Sequence, residues 1–418
     1  MKGLTLIFLL TFNFVFCQNS GINRIPSAEI TRYVQKVKQA YHLPGIVVAI
    51  TDADGINYIE EFGSVEKEER FLIGSCSKSF TALLILKLQE RGLLNIDDPV
   101  TRHLNWFEYS NINYRLLGYI IEDKTNKSFG EVLKSEITKP LQMDNTSGFA
   151  TNDIVQGYQY FLFYSILPKK MNYHQDNIPE AYISSTALDM SKYLRALMNS
   201  YKGQENAIID TKITNKLFEP NYQNNSNYGL GWEASNYEGH KIIHHDGAVQ
   251  SFQSYMLIVP ELNKSIVILT NTYGADVSEI GLGIVNIILG KKPVEKSKTR
   301  FYLIRSVPFL VLVLLLVLIL VLRKWMRLQK PISYNHKILP NILLQFGLAL
   351  SPFWIIFFPY QFGASLETII DFDPGSGYSL ICLTVFTIIT SLGMYFNSAK
   401  KTLPHNTTLF TGHQKYQS

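Results

Sequence analysis

The sequence predicts an α/β protein: an antiparallel sheet flanked by helices with a helical subdomain, followed by three transmembrane helices. Three observations predict it. Hairpin signals stand at both ends of residues 18–290, helical patterns fill the interval between them, and the final third holds three long apolar stretches.

A leader comes first. Met1–Cys17 has one early lysine and then the apolar run Leu4–Phe16, with Val15 and Cys17 small enough to precede a signal-peptidase cut. Residues 1–17 read as a signal peptide. Ile46–Ile50 and Ile56–Ile59 then flank Asp52-Ala53-Asp54-Gly55, a turn composition that predicts a hairpin. Phe80–Leu88 reads as a mostly buried helix that stops at Gly92. Asn113–Thr125, Phe129–Ile137 and Ala187–Met198 continue the helical pattern. Between them, Tyr158–Tyr164 followed by Lys169-Lys170 reads first as core packing, with a cleft lip or a bilayer contact as alternatives. His240–His245 reads as a strand. Ser254–Val259 and Ser265–Leu269 flank Pro260–Lys264 as a second hairpin, and Val277–Leu289 is the last helix of the domain. Strands at both ends of one domain imply a sheet shared by its two termini, with the helical region inserted.

Three apolar stretches follow, at 306–322, 338–358 and 378–396, each near the length of about 20 residues that spans hydrocarbon. Arg323, Lys324, Arg327, Lys330 and Lys337 lie between the first two; Glu367, Asp371 and Asp373 lie between the second and third; Lys400 and Lys401 follow. Positive loops stay in the cytoplasm. The expectation is a multi-pass cell-membrane protein with residues 18–290 outside the cytoplasm, a linker at 291–305 and a cytoplasmic tail at 397–418.

The net charge of +5 comes from scattered basic residues, so no nucleic-acid partner is expected. Of three cysteines, Cys17 leaves with the leader and Cys382 lies in an apolar stretch; Cys76 alone remains in the domain, which excludes a disulfide there. Cys76 reads as a small packed side chain. His240, His244 and His245 invite a metal. On a strand, however, the first two stand about 13 Å apart and His245 faces the other way. No metal and no cofactor is expected.

Three short motifs carry the chemistry. Ser75-Cys76-Ser77-Lys78 supplies a nucleophile and a base, Tyr109-Ser110-Asn111 a second proton carrier and an amide, and His245-Asp246-Gly247 an edge strand to hold a substrate. Similar strings occur at Ser64–Lys67 and Ser398–Lys401. Only Ser75 follows an apolar run, Phe71-Leu72-Ile73, and a Gly74 that permits a sharp turn, and precedes a buried helix. Lys78 is one turn on and on the same face, and the positive helix end lies beside the hydroxyl. The alternatives are plain structural roles: Ser75 or Asn111 as helix N-caps, Tyr109 as a buried aromatic.

These motifs, in this order, resemble the serine β-lactamase and penicillin-binding-protein superfamily, and within it the class C β-lactamase-related group. The resemblance covers roughly residues 27 to 273 and rests on Gly74–Thr81, Tyr109–Gly118, Tyr228-Gly229-Leu230-Gly231-Trp232 and His245-Asp246-Gly247. It implies a β-lactamase-like fold and a serine hydrolase acting on a peptide, a β-lactam or a small acyl substrate. Ser75 would be the nucleophile, with Lys78 and Tyr109 as proton carriers and either of them as the base. A lowered Lys78 pKa would follow from partial burial and a cationic neighbour. Asn111, His245, Gly247 and Ala248 would bind substrate, with the N–H groups of Ser75 and Ala248 as the oxyanion hole. His245 stands where many relatives have lysine; protonated it would anchor a carboxylate, neutral it would donate a hydrogen bond. Only 34 positions separate Ser75 from Tyr109, fewer than is usual in the group. Two functions therefore stand side by side: a membrane-anchored extracytoplasmic serine hydrolase with an acyl-enzyme at Ser75, and a catalytically inactive β-lactamase-fold binding or sensor protein of the cell envelope.

Overall fold

The computed structural model describes residues 25–96, 110–204, 209–220, 227–293, 295–327, 345, 351–361 and 363–400. The expected leader, Tyr109 and the tail beyond residue 400 lie outside the described residues.

Helix α1 (Ser27–Ala40) leads into the hairpin of β1 (Gly45–Thr51) and β2 (Ile56–Gly63); β3 (Phe71–Leu72) then precedes α2 (Ser77–Glu90). The inserted region holds α3 (Asn111–Thr125), α4 (Phe129–Leu133), the hairpin β4 (Gly157–Phe161) and β5 (Tyr164–Lys169), the short β6 (Ser184–Ser185), α5 (Ala187–Tyr201) and α6 (Thr211–Leu217). Strands β7 (Glu233–Tyr237), β8 (His240–Val249), β9 (Phe252–Val259) and β10 (Lys264–Thr270) follow, then α7 (Val277–Ile288) and α8 (Thr299–Arg327).

The main sheet is antiparallel in the order β2-β1-β10-β9-β8-β7, so the domain's first and last strands sit side by side, with Val48 opposite Ile268. Both faces are covered. Val47, Ala49, Val267 and Leu269 pack into the core shared with α2 and α5, while Ile46, Val48, Ile50, Ile266 and Ile268 pack into the core shared with α1 and α7. That is why β1 and β10 are apolar throughout rather than alternating. Helix α2 is buried almost all round, and Phe80 stacks on Tyr193 of α5 with ring centroids 4.0 Å apart. A helix in this position needs no polar face.

Three expectations change. Phe129–Ile137 is not one α-helix: α4 ends at Leu133 and a π turn continues over Lys134–Thr138. Tyr158–Tyr164 is not simply core: Gln159 and Tyr160 are buried, but the chain turns at Leu162 and leaves Phe161 and Tyr164 exposed. Among the described residues two helices, not three, are long and apolar enough to cross a membrane. They are Thr299–Val317 within α8 and Pro374–Gly393, with mean hydropathies of 2.1 and 1.5. The predicted middle stretch falls largely outside the described residues, and its described part includes the π turn Phe353–Phe357. Along α8 the apolar side chains Phe309, Leu310, Leu312 and Leu316 face outward.

Candidate active site

The segment around Ser75 is shaped by Gly74, whose φ is +53°. A β-carbon there would lie 2.2 Å from the Ala248 nitrogen, so only glycine lets the chain turn this tightly against β8. The turn Gly74–Cys76 runs straight into α2 and leaves Ser75 half-exposed at the helix entrance. The cap position of α2 belongs to Cys76, without a side-chain cap bond, so Ser75 does not serve as its N-cap.

Lys78 is fully buried and its amine turns back toward the serine, with Nζ 2.9 Å from Ser75 Oγ. The same nitrogen donates to Asn111 Oδ1 at 2.8 Å and to the Glu180 carbonyl at 2.8 Å. Burial pushes the Lys78 pKa down to about 8, against the opposing pull of Glu180, Cys76 and Asp246. Burial does this, not the cationic neighbour expected from the sequence. In the neutral amine a lone pair replaces one N–H, and the Ser75 hydroxyl can donate to it.

Asn111 is the first residue of α3, and Ser110 before it holds the extended cap conformation. The N-cap reading of Asn111 is thus replaced by a contact with Lys78. Its Oδ1 accepts from the lysine, which leaves its amide nitrogen as a donor. Tyr114, one turn later, brings its ring within 5.5 Å of Lys78 Nζ and its hydroxyl within 3.1 Å of the Tyr228 hydroxyl.

The segment that carries Glu180 escapes a reading of the sequence. A π turn, Ile178–Tyr182, presents the Glu180 carbonyl to Lys78 while its carboxylate, almost fully buried, takes a two-pronged bond from Arg115 of α3, Nε to Oε2 at 2.7 Å and Nη2 to Oε1 at 2.8 Å. Asn177 Nδ2 adds a third donor at 3.1 Å. Thr81 of α2 donates to the Pro179 carbonyl at 2.7 Å. The backbone that holds the Lys78 amine is therefore fastened from both α2 and α3.

Strand β8 supplies the other wall. It is not an edge strand along its whole length, because β7 pairs with it from His240 to His244; past His244 its outer side has no strand among the described residues. At Gly247 a β-carbon would lie 2.1 Å from the Ile73 carbonyl, so β8 touches the turn before α2 backbone to backbone. Ser254 Oγ donates to the same carbonyl at 2.6 Å. His245 is buried, and burial pushes its pKa down to about 3. The ring is neutral at physiological pH, which removes the expected charged anchor for a carboxylate. Nδ1 faces the Asp246 carbonyl, an acceptor only, so Nδ1 carries the proton and Nε2 accepts from the Tyr228 hydroxyl at 3.3 Å. Hydrogen bonds thus link Tyr114, Tyr228 and His245. Cys76 is buried, its thiol pushed up to about 12 by burial, and cannot compete as nucleophile.

A poised serine, a buried amine, an amide and two adjoining backbones make a site suited to acyl transfer. Comparison with known proteins gives matches over the same part of the chain. The family model described as Beta-lactamase matches residues 30–108 and 105–284. Protein flp of Staphylococcus aureus is 24% identical over 317 residues, covering 58% of this chain and 62% of flp. The chain thus matches less than two thirds of that relative's length. Unguisins hydrolase ungD' of Aspergillus campestris is 28% identical over 203 residues, 44% of this chain and 37% of the hydrolase. The octameric penicillin-binding protein homologue from Pyrococcus abyssi superposes with a TM-score of 0.56 at 22% identity, over 67% of this chain and 81% of its own. The D-alanine carboxypeptidase AmpC from Burkholderia cenocepacia gives 0.51 at 18% identity, over 63% and 98%. These two likenesses are of fold.

Proposed function

The chain belongs to the Beta-lactamase family, and on that premise we propose that it is a membrane-anchored serine hydrolase that forms an acyl-enzyme at Ser75. One observation carries the proposal: Lys78 Nζ lies 2.9 Å from Ser75 Oγ while Asn111, from a second and separate motif, holds the same nitrogen. The short connection from Ser75 favoured an inactive relative; that Asn111 reaches Lys78 across it supports the enzyme instead.

Ser75 Oγ attacks the acyl carbon of an amide, ester or β-lactam and gives its proton to Lys78. Negative charge gathers on the carbonyl oxygen, which the Ser75 and Ala248 N–H groups would receive, a contribution of about 3–4 kcal/mol in such sites. Asn111 donates through its amide nitrogen to the substrate. Tyr109 passes a proton to the leaving group and is reprotonated by the Lys78 ammonium; water then attacks the ester, gives a proton to the same pair of groups, and the acyl group leaves as Ser75 Oγ takes that proton back. The apolar run Leu4–Phe16 and the positive residues from Arg323 to Lys337 support an extracytoplasmic domain held by the apolar helices. A relative named as a hydrolase of unguisins supports hydrolysis rather than binding alone.

The test is turnover by the full-length protein of a D-alanyl-D-alanine peptide, a chromogenic cephalosporin and a nitrophenyl ester. The expected result is hydrolysis of at least one, lost by about a hundredfold or more in Ser75→Ala and Lys78→Ala. Equal turnover in Ser75→Ala, or none by the folded wild type, overturns the proposal.

A further inference from the structure

The β4–β5 hairpin has one buried and one outward face. Tyr160 and Ser165 pair across it and point inward, where Tyr160 reaches the Tyr41 carbonyl and Ser165 the Thr272 hydroxyl. Outward stand Phe161, Tyr164 and Ile166, exposed by 53%, 56% and 59%, with Leu167 beside them. A single exposed apolar side chain means little, but a contiguous set is a binding surface or a liability. This set runs directly onto α8. The rings of Phe163 and Tyr302 lie 5.9 Å apart, and a shallow groove between hairpin and helix is lined by Phe163, Lys298, Tyr302 and Leu303.

The length of α8 sets the depth. The apolar residues 306–322 reach about 25 Å at 1.5 Å per residue, against about 30 Å of hydrocarbon. The charged residues Lys298 and Arg300 put the first two turns of α8, which carry Tyr302 and Leu303, at the headgroup end of the Thr299–Val317 span, and the hairpin tip that touches Tyr302 stands at the same level. Composition fits that layer. Aromatic rings prefer the membrane interface, and the exposed Lys170 and Arg300 offer cations to anionic headgroups, while Lys298 is paired with Glu279.

We propose that the β4–β5 hairpin is a second membrane contact, its Phe161–Tyr164–Ile166 face lying in the headgroup layer of the bilayer that α8 crosses. The proposal rests on the reading of α8 as a membrane span. The hairpin then fixes how the hydrolase domain stands on the lipid surface. The root of the hairpin is tied to the site wall, since Gln159 Nε2 reaches the Gln250 carbonyl, two residues past Ala248.

Nitroxide labels on single cysteines in the full-length protein test this, with Cys17 and Cys382 changed to serine and the buried Cys76 kept. The protein is reconstituted in bilayers of phosphatidylcholine and phosphatidylglycerol, and collisions of each label with oxygen and with a nickel chelate are compared. Ile166→Cys and Tyr164→Cys report the hairpin, Leu312→Cys the span, and Lys216→Cys on α6 the aqueous side. Labels at 164 and 166 are expected to show an oxygen-to-nickel ratio several-fold above that at 216 and below that at 312. If 312 reads as membrane while 164 and 166 match 216, the hairpin proposal fails and the span stands. If 312 also matches 216, both fail.

Discussion

Lys78 meets two demands that oppose each other. In the proposed mechanism its amine must be neutral to take the serine proton, yet a carboxylate-bearing residue, Glu180, supplies one of its acceptors. Burial decides the balance at a pKa of about 8, which leaves about a tenth of the amine neutral at pH 7. Acylation should therefore speed up about tenfold per pH unit below 8 and level off above it; a rate unchanged between pH 6 and 9 contradicts this role for the lysine. Glu180 favours the ammonium form, so Glu180→Gln should move the rising limb to lower pH. A limb that stays in place shows that Glu180 only holds its turn. Ser75 and Lys78 were legible because three residues of helix put them on one face. The Glu180 contact was not, since a carbonyl 102 positions away leaves no side-chain signature. The state of His245 was half legible: its place in a strand could be read, but the burial that keeps its ring neutral comes from packing.

Between elements, the site depends on how closely β8 meets the turn before α2. Gly247 allows that contact, because a β-carbon there would fall 2.1 Å from the Ile73 carbonyl and 2.4 Å from Ser254 Oγ. Backbone cannot give way as a flexible side chain can. Gly247→Ala should cost about 1–3 kcal/mol, lower Tm by several degrees and slow acylation, as the oxyanion donors separate. An unchanged Tm and acylation rate would mean that the two backbones are not so close. The paired hairpins and the shared sheet were readable from apolar runs around turn residues. The β4–β5 hairpin was not, because Tyr158–Tyr164 is apolar on both faces and periodicity alone does not separate a core strand from one with a bare outer face. The π turns at Lys134–Thr138 and Ile178–Tyr182 also have no sequence period of their own.

Across the whole molecule, the hydrolase domain and the apolar helices are joined by more than a tether. Arg305 of α8 lies 3.9 Å above the Tyr160 ring and 3.0 Å from the Asp373 carboxylate, close charges without an aligned hydrogen bond. Phe372 meets Tyr273 edge to face at 4.8 Å. Removing the acid leaves a buried guanidinium short of a partner, so Asp373→Ala should speed hydrogen exchange across 299–308; unchanged exchange argues for a loose tether. The outer apolar helices were legible from length and hydropathy, whereas their docking on the domain depends on single polar residues that no pattern marks. The measurement that decides most is intact-mass and peptide analysis of the full-length protein after exposure to a fluorophosphonate and to a labelled penicillin. A one-to-one adduct on the peptide carrying Ser75, absent in Ser75→Ala, is the expected result; a folded protein that takes up neither reagent, or carries the label elsewhere, contradicts it.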